Sequence, residues 1–344
     1  MKELIIRESG EKVYNYISQF TDVEDKTNLF VSTTSKFNIE NQPANQFKTI
    51  TNLRRINDIR YINKFFEAVN SKLPIGGIFI NCVETYTLRK RRILKKFPPV
   101  LNWIYYFFDW TLKRVIPKLP ITKKVYFFFT RGMNRVISQA ETYGRLYSCG
   151  FSFIDEKFIN NNLYFVFKKV KKPAFDYHPT YGALIRLKRY GKNGKLIKVY
   201  KFRTMHAYSE YLQNYIFEKN NLQEGGKFRN DFRVNTIGKI MRKFWIDELP
   251  MFINLFKGNL KLFGVRPLSQ QYFDLYDADL KEKRLKYRPG LVPPFYVDLP
   301  KTFKEIMDSE KRYLEAYDKH PFRTDWKYFW KAFYNIVFKH ARSN

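Results

Sequence analysis

The sequence predicts a mixed α/β (α+β) protein of about two domains, and three observations carry that prediction. At 344 residues the chain exceeds one average domain of ~150. Its apolar share, 44%, is enough to bury a core of that size, which excludes disorder as the main state. Its hydrophobic period also switches along the chain, helical over residues 60–69, continuous over 78–83 and strictly alternating after residue 184.

The first 80 residues are the least basic part and read as alternating helix and strand. Residues 60–69, RYINKFFEAV, place Ile62, Phe65, Phe66 and Val69 on one side of a helix. A Leu73-Pro-Ile-Gly-Gly loop follows, and residues 78–83, IFINCV, suit a buried parallel strand. This order of helix, Gly-Gly loop and strand resembles the later half of Rossmann-like methyltransferases, with residues 149–170 as the final hairpin. No Gly-rich cofactor loop precedes it. The expectation is therefore a non-catalytic, Rossmann-like partial domain (a methyltransferase-like remnant) over residues 1–96, completed by 138–172.

Residues 97–137 form a basic, aromatic segment. From residue 86 to 137 there are 13 Lys/Arg and one acid, Asp109, with Pro98, Pro99, Pro117 and Pro120 dividing the stretch. Residues 100–115, VLNWIYYFFDWTLKRV, match an interfacial helix, with rings at headgroup level and cations for anionic lipid. An aromatic core helix with a solvated basic end fits the same periodicity. Residues 325–344 repeat the pattern, with Trp326, Phe329, Trp330, Phe333, Ile336 and Val337 at helical spacing and Lys327, Lys331, Lys339 and Arg342 among them. Four of the five tryptophans, Trp103, Trp110, Trp326 and Trp330, fall in these two segments, which favours membrane contact through them.

Composition narrows the function classes. Lys plus Arg number 63 against 32 acids, a net charge of +31, so an anionic partner is expected: nucleic acid, phospholipid or a phosphorylated substrate. Cys82 and Cys149 form no CxxC, which excludes a disulfide scaffold or Cys-ligated zinc and suits reduced thiols in a cytosolic compartment. His178, His206, His320 and His340 are scattered and make no HExxH pair. The first residues lack the apolar core of a signal peptide, and no run reaches the ~18 apolar residues of a spanning helix.

From residue 183 the texture changes. Two alternating strands flank Gly191-Lys-Asn-Gly194, a hairpin signal, and eight cations but no acid lie between Arg186 and Met205. On the second strand Lys201 and Arg203 share a face with Val199. Cations pointing one way from a hairpin suit phosphate binding, although a charge run is also a common solvated face. A helix over 236–246 is then expected to stop before Asp247-Glu248-Leu249-Pro250, with a new helix running to Gly258. Asp247 and Glu248 thus stand at a helix start, where N–H groups favour negative charge; an ordinary N-cap reads the same way.

Nine short motifs in this region form an ordered set. They are Gly191-x-x-Gly194, Lys201-Phe-Arg203-Thr-Met205, Asp231-x-Arg233, Ile237-Gly238, Arg242-Lys243, Asp247-Glu-Leu-Pro250, Asn254-x3-Gly258, Gly264-x-Arg266-Pro267 and Arg288-Pro-Gly290. Together they resemble the catalytic domain of the bacterial sugar transferases, the monotopic polyprenyl-phosphate phosphoglycosyl transferases. The match covers residues 180–295, and the resemblance implies a catalytic domain over 175–344 with a β-hairpin and amphipathic membrane-surface helices.

The resemblance further implies that Asp247 is a nucleophile attacking the sugar-linked phosphate of a UDP-sugar, releasing UMP. Polyprenyl (undecaprenyl) phosphate then takes the phosphosugar, the first membrane step of exopolysaccharide, capsule or O-antigen assembly. Glu248 is expected to bind Mg²⁺ with Asp247 or to assist proton movement. Arg266 is expected to hold the nucleotide phosphates, with Lys201, Arg203 and Arg233 as further phosphate or nucleotide contacts. The implied location is the cytoplasmic face of the bacterial inner membrane, peripheral or monotopic. The chemistry is coherent: a carboxylate is a competent covalent nucleophile, and attack on a diphosphate needs cations to cancel charge.

Three departures stand out. Met251 replaces the family's usual Gln after Asp-Glu-Leu-Pro, Val265 replaces the Pro of Gly-Pro-Arg-Pro, and Leu260-Lys-Leu-Phe replaces Met-Ser-Leu-Val. The family's apolar re-entrant helix is absent just before residue 184; the nearest candidate lies at 97–117. The rival readings are a basic nucleic-acid binder, which would need a reader motif not found here, a methyltransferase, and an inactive membrane scaffold of the same family.

Overall fold

The computed structural model describes residues 1–175, 182–213, 215–216, 231–339 and 341; His178, His340 and Arg342 lie outside them. The chain forms two compact units, Met1–Tyr181 with His206–Gln213, and Gly182–Met205 with Asn214–Asn344.

The first unit is built on a five-stranded mixed sheet. β1 (Asn28–Val31), β2 (Thr49–Asn52) and β3 (Ile78–Val83) run parallel, and β3 continues into an antiparallel hairpin of β4 (Phe151–Ile159) and β5 (Asn162–Lys169). The spatial order is β1-β2-β3-β5-β4. Residues 78–83 are apolar apart from Asn81 because β3 is covered on both faces. Phe79 packs against Phe65 and Phe66 of the Ile62–Lys72 helix and against Phe151 and Phe165. Ile80 and Cys82 join Ile5, Val13, Tyr16 and Ile17 on the opposite face. Among the described strands, the parallel three follow one another without reversal, so they offer no switch-point crevice for a dinucleotide. The Rossmann-like reading thereby narrows to a mixed five-stranded sheet. Cys82 and Cys149 are buried free thiols, and burial pushes both up to about 12, so they are inert at neutral pH.

Residues 97–137 do not form an aromatic core helix. In the Leu101–Trp110 helix the polar residues face inward and the rings face out. Asn102 donates to the Leu94 carbonyl at 3.0 Å. Asp109 takes Arg89 through two bonds of 2.6 and 2.8 Å and Lys113 at 3.1 Å. Burial opposes ionisation of Asp109, but Arg89 and Lys113 outweigh it and hold the carboxyl low. Trp103 (54% exposed), Phe107 and Phe108 point to solvent, while Trp110 is half-buried. The Pro120–Thr130 helix likewise exposes Ile121, Val125, Phe128 and Phe129. Asn102 and Asp109, which break the apolar run in sequence, are the anchors of an inverted amphipathic helix.

In the second unit β6 (Leu184–Tyr190) and β7 (Leu196–Phe202) form the expected hairpin, and β8 (Lys261–Phe263) pairs in parallel with β9 (Gly290–Val292). Phe263, Tyr276, Leu280, Tyr313 and Leu314 form its main core under the helices Phe303–Lys319 and Pro321–Val337. The last helix turns Ala332 and Asn335 inward and leaves Trp326 and Trp330 58% and 49% exposed. No helix among the described residues is long and apolar enough to cross a membrane.

Candidate active site

The hairpin supplies one wall. Ile197 and Val199 of β7 are buried against Met251 and Leu260, and the strand's alternation carries Lys201 to the same side. Asn193 and Gly194 take the positive φ values, 55° and 72°, that close the turn.

The second wall is the Asp-Glu turn. The preceding helix spans Thr236–Lys243, capped by the Asn235 side chain, and ends three residues short of the expected boundary. Trp245 breaks it with φ 54°, and its indole N–H donates to Tyr296 at 2.8 Å. A 3₁₀ helix, Ile246–Met251, follows, with Asp247 and Glu248 in its first turn and Pro250 inside rather than opening a helix. The short helix Phe252–Phe256 then leads to Gly258 at φ 66°.

Close packing fixes these pieces. A Cβ on Gly238 would lie 2.1 Å from the Thr204 carbonyl, so only glycine lets this helix approach that backbone. Asn254 is completely buried; its side chain accepts from the Tyr200 N–H at 2.9 Å and donates to the Lys198 carbonyl at 2.8 Å. It thereby clamps the Phe252–Phe256 helix to β7, a role that motif reading left unassigned. Asn254→Leu is expected to lower unfolding stability by about 1–3 kcal/mol, because two part-buried backbone groups lose their partners. Denaturant melts would measure it.

Lys201, Glu248 and Arg266 line a pocket of about 360 Å³, together with Arg189, Tyr272 and Tyr276. Lys201 donates to Glu248 at 2.5 Å. Burial opposes ionisation of Glu248, but Lys201 and then Arg266 overcome it and hold the carboxyl low. Asp247 behaves oppositely. Burial raises it, Lys201 pulls back, the neighbouring Glu248 raises it further, and the net shift is upward. Among the described residues no ion pair neutralises Asp247. The two adjacent acids are thus driven apart: one is a buffered anion, the other a less stabilised one. Arg242, which donates to Thr204 at 2.9 Å, also reaches Asp247 electrostatically.

The structure therefore brings Lys201, Glu248 and Arg266 together in the pocket lining; Asp247 stands on the adjoining turn, outside that lining, and feels Lys201 electrostatically. The structure does not bring Arg203 or Arg233 into the pocket lining. Arg203 donates to the Gly182 carbonyl at 3.0 Å. Arg233 is buried and engages Asp231 through bonds of 2.7 to 3.1 Å. Arg189 is one of the eight cations counted between Arg186 and Met205, and Arg284 carries no motif of its own. Arg284 is buried, pairs with Glu310 and donates to the Arg266 backbone carbonyl, so it holds the Arg266 loop. The signal was the four-residue spacing to Arg288-Pro-Gly290, which says nothing of a partner 26 residues on.

Among the described residues no three His, Cys, Asp or Glu side chains gather as metal ligands. The two carboxylates of Asp247 and Glu248 suit Mg²⁺ of the kind that keeps waters and borrows substrate phosphate oxygens, rather than a resident ion in a protein cage. Around the pair, Ile240, Phe244, Leu249, Phe252 and Phe256 are exposed.

Residues 175–339, just under half of the chain, match the bacterial sugar transferase family. A galactosyl transferase, CpsE, of Streptococcus agalactiae is 32% identical over 39% of this chain and 31% of its own length. An Aeromonas hydrophila UDP-N-acetylgalactosamine-undecaprenyl-phosphate N-acetylgalactosaminephosphotransferase is 36% identical over 30% of this chain and 22% of its own. A Caulobacter vibrioides UDP-glucose:undecaprenyl-phosphate glucose-1-phosphate transferase is 34% identical over 32% and 38%. The chain thus spans well under half of each of these relatives.

Proposed function

We propose, on the premise that residues 175–339 are a bacterial sugar transferase domain, that the protein transfers a sugar phosphate from a UDP-sugar to undecaprenyl phosphate. The observation that carries the reading is the Asp247–Glu248 pair, with Glu248 held by Lys201 and Asp247 without an ion-pair partner among the described residues, beside a pocket lined by Arg266.

An Asp247 carboxylate oxygen attacks the sugar-linked phosphorus. The bond from that phosphorus to the bridging oxygen breaks, and UMP leaves with the oxygen and its electron pair. An oxygen of polyprenyl phosphate then attacks the aspartyl phosphosugar, expelling the carboxylate and forming the polyprenyl-diphosphate sugar. Desolvation makes ionised Asp247 a better nucleophile, because less solvation must be stripped before attack. Arg266 and Arg189 counter the nucleotide phosphates, with Arg203 and Arg233 outside that lining. Lys201 holds Glu248 ionised and adds positive charge where the phosphoryl group develops negative charge. Mg²⁺, held by Asp247 and Glu248, would supply further charge neutralisation.

Membrane association is part of the proposal. The exposed apolar side chains beside Asp247 suit a lipid acceptor, and Trp103, Trp326 and Trp330 suit the water–lipid boundary; half-buried Trp110 contributes less. Replacing Trp326 and Trp330 by Ala is expected to reduce binding to phosphatidylglycerol vesicles severalfold in a flotation assay. Unchanged flotation would remove that helix from the membrane contact. Turnover itself is tested with a panel of UDP-sugars and undecaprenyl phosphate, scoring UMP release and lipid-extractable sugar. No lipid-linked product with any donor would overturn the reading.

A further inference from the structure

A second cavity, of about 1020 Å³, lies wholly within the first unit. Apart from Phe175 and Tyr208, its lining comes from residues outside the matched 175–339 segment. Nine of its lining side chains are Lys or Arg, against Glu67 and Glu141. Lys64 pairs with Glu67, Lys113 with Asp109 outside the lining and Arg145 with Glu141, which leaves the excess at buried Arg114, half-buried Lys118 and the exposed Arg60, Lys123 and Lys124.

Glu141 is shared, meeting Arg145 at 2.8 Å and Lys118 at 3.6 Å. Arg114, 8% exposed, has only neutral partners at hydrogen-bond distance among the described residues, the Val136 carbonyl at 3.0 Å and His206 Nδ1 at 3.1 Å. Burial, then Arg114, holds His206 down to about 3, so the imidazole is neutral and accepts from the guanidinium without offsetting its charge. Burial also pushes Lys118 down to about 8, against the pull of Glu141. A concave, low-dielectric wall with this surplus focuses a positive potential. Tyr61, Phe127 and Phe128 add aromatic surface to the same lining. The volume is that of a site for an organic ligand rather than a single ion.

We infer that this cavity binds a phosphate-bearing organic anion of about nucleotide size, at Arg114, Lys118 and the rim cations Arg60, Lys123 and Lys124. The phosphate is either that of a soluble nucleotide or a lipid headgroup, and the site is separate from the sugar-transfer pocket, so the inference stands or falls without it.

The test uses the full chain in an Arg266→Gln background, which suppresses phosphate binding at the sugar-transfer pocket. The rim variant Arg60→Gln/Lys123→Gln/Lys124→Gln removes three exposed cations. A control, Arg91→Gln/Lys95→Gln/Lys96→Gln, makes the same charge change on exposed residues outside the cavity. One arm titrates inorganic pyrophosphate and UDP calorimetrically; the other measures binding to phosphatidylglycerol–phosphatidylcholine against pure phosphatidylcholine vesicles. The rim variant is expected to lose about 10-fold or more in affinity, with the control near wild type. Loss of pyrophosphate and UDP binding identifies a soluble ligand, and loss confined to phosphatidylglycerol identifies a headgroup; either upholds the site. Unchanged affinity in both arms, or an equal loss in the control, overturns it.

Discussion

Asp247→Asn is expected to reduce sugar-phosphate transfer by at least ~10³-fold, because the amide cannot form the acyl phosphate. The same variant should be more stable than the wild type at pH 7. The Asp247 carboxyl is raised in the folded state, by burial first. The native state then keeps its proton to higher pH than the unfolded chain, so stability falls as pH rises from the ordinary carboxyl value, 3.8, through the folded one. Above that window the ionised group is a standing cost, which Asn removes. Melting temperatures across pH 3 to 8 check this: the gain should be present at neutral pH and vanish in acid. Turnover by the wild type should likewise decline in acid at a higher pH than an ordinary aspartate would dictate. A variant that is inactive but less stable at every pH would place Asp247 in a structural role.

Arg284→Ala is expected to cost about 3–5 kcal/mol of unfolding stability, since it leaves Glu310 buried without its partner. It should also raise KM for the UDP-sugar, because the Arg266 carbonyl loses the guanidinium that holds it. The two effects separate in the double variant Arg284→Met/Glu310→Leu. Two apolar side chains of similar volume should restore most of the stability, while the Arg266 loop remains untethered and KM stays high. Denaturant melts and steady-state kinetics on the three proteins measure both. Full recovery of KM in the double variant would show that Arg284 acts on folding alone.

Much of the site was legible because local chemistry wrote it. Lys201 sits beyond Val199 by strand alternation, and the 3₁₀ turn at Asp247 follows a helix that ends within three residues of its expected boundary. The β6–β7 hairpin was readable from its turn residues and apolar alternation. What was not readable depended on contacts distant in sequence. Arg284 was not singled out, because its partner Glu310 lies 26 residues away and the Arg266 carbonyl it holds lies 18 away. The direction of the aromatic segment was equally hidden. Periodicity says that one face differs from the other but not which is inside, and in the Leu101–Trp110 helix Arg89 decides it by drawing Asp109 inward.

The central claim is that Asp247 becomes covalently loaded. Incubating the full chain with a UDP-sugar in the absence of polyprenyl phosphate, quenching in acid and mapping peptides by mass spectrometry tests it directly. A sugar-phosphate increment is expected on the peptide containing Asp247, with stoichiometric UMP; undecaprenyl phosphate added before the quench should discharge the increment while UMP release continues, and Asp247→Asn should abolish both. UDP as the released nucleotide, with Asp247 unmodified under conditions of full turnover, would contradict it.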